Sequence, residues 1–167
     1  VIDARTLLRE ADQRLGDALE GFEIVPSHCL DSVLDHLPDA RAPLAEKHAW
    51  NALIECTSPS DAAAGLQERL ETVLASALES GLIADAVIAA NETQAETFWT
   101  LRDSISAAER ALGPAVQHDI SVPVERMPEF ILAAIPEIES AFSGARAAAF
   151  GHLGDGNVHF HVIAPKG

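Results

Sequence analysis

The chain has 167 residues, 48% of them hydrophobic and 22% charged, which suits one folded domain with a core and excludes a disordered chain. Its formal net charge is −15, from 26 acidic and 11 basic residues, which disfavours nucleic acid and anionic membranes as partners. No apolar run approaches the roughly 20 residues needed to span a bilayer, and the charged, amphipathic start of the chain does not read as a signal peptide. Residues 3–20 carry Leu7, Leu8, Ala11, Leu15, Ala18 and Leu19 at helical spacing and predict a helix. Pro26, Pro38 and Pro43 interrupt the next stretch, which reads as a loop holding a short helix. Residues 48–56 alternate, with Trp50, Ala52, Ile54 and Cys56 on one side, and predict a strand. Pro59 then suits a helix start; its stripe is Leu66, Leu70, Val73, Leu74, Ala77 and Leu78, and it ends near Gly81.

Residues 83–89 read as a second strand. Asn91, three residues before Gln94, is a capping signal for a helix that runs to Leu112 and stops at Gly113-Pro114. Residues 115–122 are a third strand. Residues 125–142 are a helix with Pro128 in its first turn and a kink at Pro136. Residues 145–152 and 157–164 are the last two strands. No Gly-rich loop follows a strand in the dinucleotide or Walker manner. The closing hairpin is antiparallel, so the expected fold is α+β: a two-layer, ferredoxin-like antiparallel or mixed sheet with helices on one face. Cys29 and Cys56 form no CxxC pair and read as reduced thiols of a cytoplasmic protein.

The hairpin "FGHLGDGNVHFHV" at 150–162 holds three of the seven histidines. Asp-Gly between alternating strands predicts a two-residue turn at Asp155 and Gly156. That register sets His152 directly opposite His159, with Cβ atoms about 4.5–5.5 Å apart, a separation from which two imidazoles can converge on one metal ion. Val158, Phe160 and Val162 then face the core, together with Leu153, Gly151 and Ala149. Asn157, His159 and His161 share the other face with His152. The same pattern also describes a surface hairpin with a polar wet face. Two ligands are in any case too few for a tight site. A second group lies upstream: Trp99, Arg102 and Ser106 fall on one helical face. The Arg102 fork suits a carboxylate or phosphate, or else pairs with Asp103 or Glu109. No GxSxG occurs, so serine-nucleophile catalysis has no support.

Residues 98–131, "FWTLRDSISAAERALGPAVQHDISVPVERMPEFI", followed by "FGHLGDGNVHFHV", resemble the C-terminal (cap) domain of FAD-linked oxidases. The resemblance is to the vanillyl-alcohol-oxidase superfamily, in the branch of D-lactate dehydrogenases, the glycolate oxidase D subunit and D-2-hydroxyglutarate dehydrogenases. It is specific over about residues 94–163; residues 1–90 match more loosely, chiefly "ALEGFEIV". The resemblance implies that His152 and His159 bind a divalent metal, usually zinc. Its third ligand is a downstream Glu, followed by a His that acts as base, both beyond the end of this chain. It implies that Arg102 grips the substrate carboxylate, that Ser106 is a hydroxyl position on the same side, and that Asn157, with His118 of the "HD" pair, lies toward the flavin. Two departures fall near the substrate: Gln117 stands where many members have Lys, and His161 where many have Asn.

The resemblance therefore implies that residues 1–167 are a single substrate- and metal-binding domain of an FAD-dependent 2-hydroxy-acid dehydrogenase or oxidase. The FAD-binding half lies outside it. Electrons would pass to a quinone, a cytochrome or an electron-transfer flavoprotein, and a homodimer is compatible with the fold. The competing expectation is a non-enzymatic ferredoxin-like binding or dimerisation module with structural histidines. A small metal-dependent hydrolase is disfavoured by the lack of a carboxylate base near the histidine pair.

Overall fold

A computed structural model describes residues 1–58 and 65–165. Its elements are α1 (Ile2–Leu15), β1 (Leu19–Pro26), α2 (Ser27–His36), β2 (Trp50–Cys56), α3 (Leu66–Glu79), α4 (Glu92–Asp103), α5 (Ile105–Leu112), β3 (Ala115–Ser121), α6 (Met127–Ala141), β4 (Arg146–His152) and β5 (Asn157–Ile163). The strands form one open sheet in the order β2-β1-β4-β5-β3, every neighbouring pair antiparallel. The α+β class and the antiparallel sheet agree with the sequence reading.

Several boundaries move, each for a local reason. The first helix stops at Leu15 because Gly16 turns the chain at φ 55. The stretch that follows is β1, not a loop. It is buried on both sides, with Phe22 and Ile24 on one face and Glu23 and Val25 on the other, so it lacks the alternation that marks a half-exposed strand. Residues 83–89 are not a strand: they pair with no ladder, and Leu82 and Ile83 pack against the core from a loop. The helix start expected at Pro59 lies outside the described residues. The capping signal at Asn91 is real: Asn91 Oδ1 accepts the Gln94 N–H at 3.0 Å, and Gln94 Oε1 accepts the Ala90 N–H at 2.8 Å. The long helix after it is interrupted at Ser104, which divides it into α4 and α5.

Two apolar clusters sandwich the sheet. On one face α1, α3 and α6 bring Leu7, Ala11, Val73 and Ile131 against Ile24, Ala149, Val158 and Phe160. On the other, α2, α4 and α5 bring Cys29, Val33, Leu101 and Ile105 against Val25, Ala148 and Phe150. Helices were expected on one face alone; the second layer follows from the "AAAF" of β4, which is apolar on both sides as a central strand must be. That second layer covers only part of its face. Beyond its edge, the same face of β1, β4, β5 and β3 carries a polar group.

The closing hairpin keeps its predicted faces but not its register. Phe150 pairs with His159 and His152 with Asn157, so four residues, 153–156, form the turn. Leu153 is fully buried in the core, and the Gly154 N–H reaches the Phe22 carbonyl at 3.3 Å, which draws these residues out of the ladder. Gly156 completes the turn at φ 81, where a Cβ would lie 2.0 Å from the Val122 carbonyl oxygen. The shift is by two residues across the pair, so every side chain stays on its side of the sheet.

Candidate functional site

The new register makes His152 and His159 diagonal neighbours rather than opposed residues, with ring centroids 5.3 Å apart. Arg102, at the end of α4, reaches across both. Its Nη2 lies 3.3 Å from His152 Nε2 and 2.9 Å from His159 Nε2. Its Nε donates to Glu23 Oε2 at 2.8 Å, and its Nη1 faces the exposed Asp103 at 3.6 Å. The guanidinium also lies over the Phe150 ring, 5.7 Å from its centroid. The far nitrogen of each histidine meets a carboxylate: His152 Nδ1 touches Glu23 Oε1, and His159 Nδ1 lies 2.5 Å from Asp119 Oδ1.

These contacts assign the tautomers. A guanidinium is a donor only, so both Nε2 atoms accept from it. Both Nδ1 atoms then carry the proton: that of His159 donates to Asp119 Oδ1, and that of His152 is turned toward Glu23 Oε1, which accepts no hydrogen bond among the described residues. Two imidazole lone pairs thus converge on one positively charged group, each ring braced from behind by an acid. A metal-ligating histidine requires the same arrangement, with its second nitrogen donating to a carboxylate. Arg102 occupies the focus of the two lone pairs in this structure. The residues therefore fit a cation, although among the described residues no third His, Cys, Asp or Glu completes a metal cluster.

Beside this group lies a second one. His161, almost fully buried, contacts Glu109 Oε2 through Nδ1. The Cys29 thiol donates to Glu109 Oε1 at 3.4 Å. Burial, with the Glu109 charge adding to it, pushes the Cys29 thiol well above the ordinary thiol range. Gln117 Nε2 stands 3.5 Å from His161 Nδ1 and donates to the Ser106 carbonyl at 3.3 Å, while Arg110 donates to Gln117 Oε1 at 3.0 Å. Phe150 sits between the groups, its centroid 5.1 Å from that of His159 and 5.0 Å from that of His161.

The structure thus gathers Arg102, His152, His159, His161 and Gln117 on one face. Asn157 joins them beside His152; its Oδ1 is buried and has no hydrogen-bond partner among the described residues. Ser106 lies past the interruption at Ser104, and its carbonyl accepts from Gln117 Nε2. His118 is not at the site. It pairs with Phe160, so period two turns its side chain to the opposite face of the sheet. Glu23 is the residue that sequence reasoning misses. Its signal was an acid within an apolar run, "GFEIVP", where a buried charge demands a partner. Glu109 was weighed as a partner for Arg102 but serves His161 instead.

Comparison with known proteins gives the same direction. The family model described as "FAD linked oxidases, C-terminal domain" matches residues 2–167. The chain is 34% identical over 166 residues to the Arabidopsis thaliana protein named D-2-hydroxyglutarate dehydrogenase, mitochondrial, which covers 99% of this chain and 29% of that protein. It is 33% identical over 159 residues to the Rattus norvegicus protein of the same name, covering 93% of this chain and 28% of the relative. It is 33% identical over 148 residues to a Xanthomonas citri D-2-hydroxyglutarate dehydrogenase, covering 88% of this chain and 30% of the relative. The chain therefore spans less than a third of the length of these relatives.

Proposed function

The chain belongs to the family of FAD-linked oxidase C-terminal domains, and from that premise we propose that it is the substrate- and metal-binding domain of a flavin-dependent dehydrogenase acting on a D-2-hydroxy acid. The observation that carries this reading is the convergence of His152 Nε2, His159 Nε2 and Arg102 on one spot. The names of the relatives favour 2-hydroxyglutarate over lactate or glycolate as the acid.

In this reading Arg102 binds the substrate carboxylate. Its Nη1 edge, which among the described residues has an ion-pair contact only with the exposed Asp103 at 3.6 Å, would be the side that takes the ligand. Phe150 beneath and Glu23 behind hold the guanidinium plane. His152 and His159 would hold a divalent cation, zinc in this proposal, with a third ligand from outside these residues. Bound there, the cation would polarise the hydroxyl that is oxidised. Asn157 offers its unpartnered Oδ1 toward the cofactor side. FAD, held by a separate part of the full-length protein, would accept the hydride. Gln117, exposed and with the buried His161 behind it, lines the neighbouring position and would read the far end of the acid. The electron acceptor would be a quinone, a cytochrome or an electron-transfer flavoprotein.

The test uses the full-length flavoprotein. D-2-hydroxyglutarate, D-lactate and glycolate are added anaerobically, with the L enantiomers of the first two as controls. The reading predicts that at least one D-2-hydroxy acid bleaches the flavin and that its L enantiomer does not. A flavin that none of these acids reduces contradicts it.

A further inference from the structure

Glu23 is fully buried, and its two oxygens face groups with different tasks. It projects from β1 directly across from His152 on β4, on the site face. Oε2 accepts from Arg102 Nε at 2.8 Å. Oε1 lies against His152 Nδ1 as an ion-pair contact and, among the described residues, accepts no hydrogen bond. Asp119, which braces His159, is by contrast 71% exposed and can be replaced by water. The two braces are therefore unequal. Water has no access to replace the buried Glu23, and among the described residues no other carboxylate faces both Arg102 and His152.

We propose that Glu23 is a positioning residue that ties the carboxylate grip to the metal ligand, by holding Arg102 with one oxygen and fixing His152 in the tautomer that leaves Nε2 free with the other. The proposal rests on the reading of His152 and His159 as metal ligands. The chemistry makes it separable from a general structural role. A carboxylate accepts at both oxygens; an amide of the same shape accepts at one and donates at the other. In Glu23→Gln the carbonyl oxygen is taken by the permanently charged Arg102, and the NH2 is left facing His152 Nδ1. That nitrogen must then accept, so the proton moves to Nε2 and the lone pair that would bind a metal is lost. The grip on acid survives while the metal ligand fails.

The experiment measures two affinities on the full-length protein, wild type and Glu23→Gln: zinc by competition with a chromophoric chelator, and a D-2-hydroxy acid by perturbation of the flavin spectrum. The expected result is zinc binding weakened about 10- to 100-fold, as for loss of a partner behind a metal ligand, with acid affinity changed less than about threefold. Equal loss of both affinities overturns the proposal, because a structural role moves both. Unchanged zinc affinity in the variant overturns it while leaving the functional reading intact. A wild-type protein that takes up no zinc overturns the metal assignment and the proposal together. Should the variant fail to fold, histidine 15N NMR of the metal-free wild type decides: a His152 ring protonated at Nδ1 supports the proposal, and one protonated only at Nε2 overturns it.

Discussion

Glu23 and Glu109 are both buried to about 1% of full side-chain exposure or close to it, and each meets the Nδ1 of a hairpin histidine on the same face of the sheet. Their surroundings differ. The Glu23 group opens outward: His152 keeps 42% of its side-chain exposure, and Asp103, facing Arg102 Nη1, is exposed. The Glu109 group is closed, with His161 at 4% exposure and the Cys29 thiol sealing the second oxygen. In the first arrangement the imidazole lone pairs face Arg102 at the border of the second helical layer. In the other every contact is internal and holds α5, α2 and β5 together. The same residue types thus stand half-open in one place and closed in the other, and what separates them is where the second helical layer ends.

Phe150 is the plate the two regions share, so its loss should blur the distinction most. Phe150→Ala should cost about 3–5 kcal/mol of stability, read by chemical denaturation, and should weaken acid binding as well. Unchanged acid binding would mean that the plate serves the closed region alone. Arg102→Ala strands the buried Glu23 charge and should cost about 1.5–3 kcal/mol while raising the KM for the acid; a shift in stability with no change in KM would remove Arg102 from the grip. Glu109→Gln keeps a hydrogen bond to His161 but not the charge, so it should cost roughly 1–2 kcal/mol and leave bound metal unchanged. Metal loss in this variant would erase the division between the regions. The smallest effect concerns the thiols. A raised pKa means a smaller thiolate fraction, so Cys29 should resist iodoacetamide at neutral pH and react only on unfolding, whereas half-buried Cys56 should label first. Peptide mapping after brief alkylation would show the order; early labelling of Cys29 would mean that the closed group opens readily.

Much of the open site was legible because its members lie in short, periodic stretches. The Asp-Gly turn and the alternation after it sort the hairpin correctly into faces even though the turn is longer than expected, since a shift of two preserves side-chain direction. Arg102 stands out because basic residues are scarce. Glu23 stays hidden because β1 is buried on both sides and its partner Arg102 lies 79 residues away. Local periodicity carries no information about such a pairing. His118 is misplaced for the opposite reason: it is adjacent to Gln117 in sequence, but in a strand adjacent residues face opposite ways. Residues 83–89 look like a strand because apolar side chains also anchor loops to a core, as Ile83 does.

The proposal assigns His152 and His159 as two ligands of a divalent metal beside Arg102. Elemental analysis of the full-length protein, wild type against His152→Ala and His159→Ala, tests it most directly. The account predicts about one divalent metal ion per chain in the wild type, as three-ligand zinc sites hold, and its loss in each variant with the flavin retained. Equal metal content in all three proteins would contradict it.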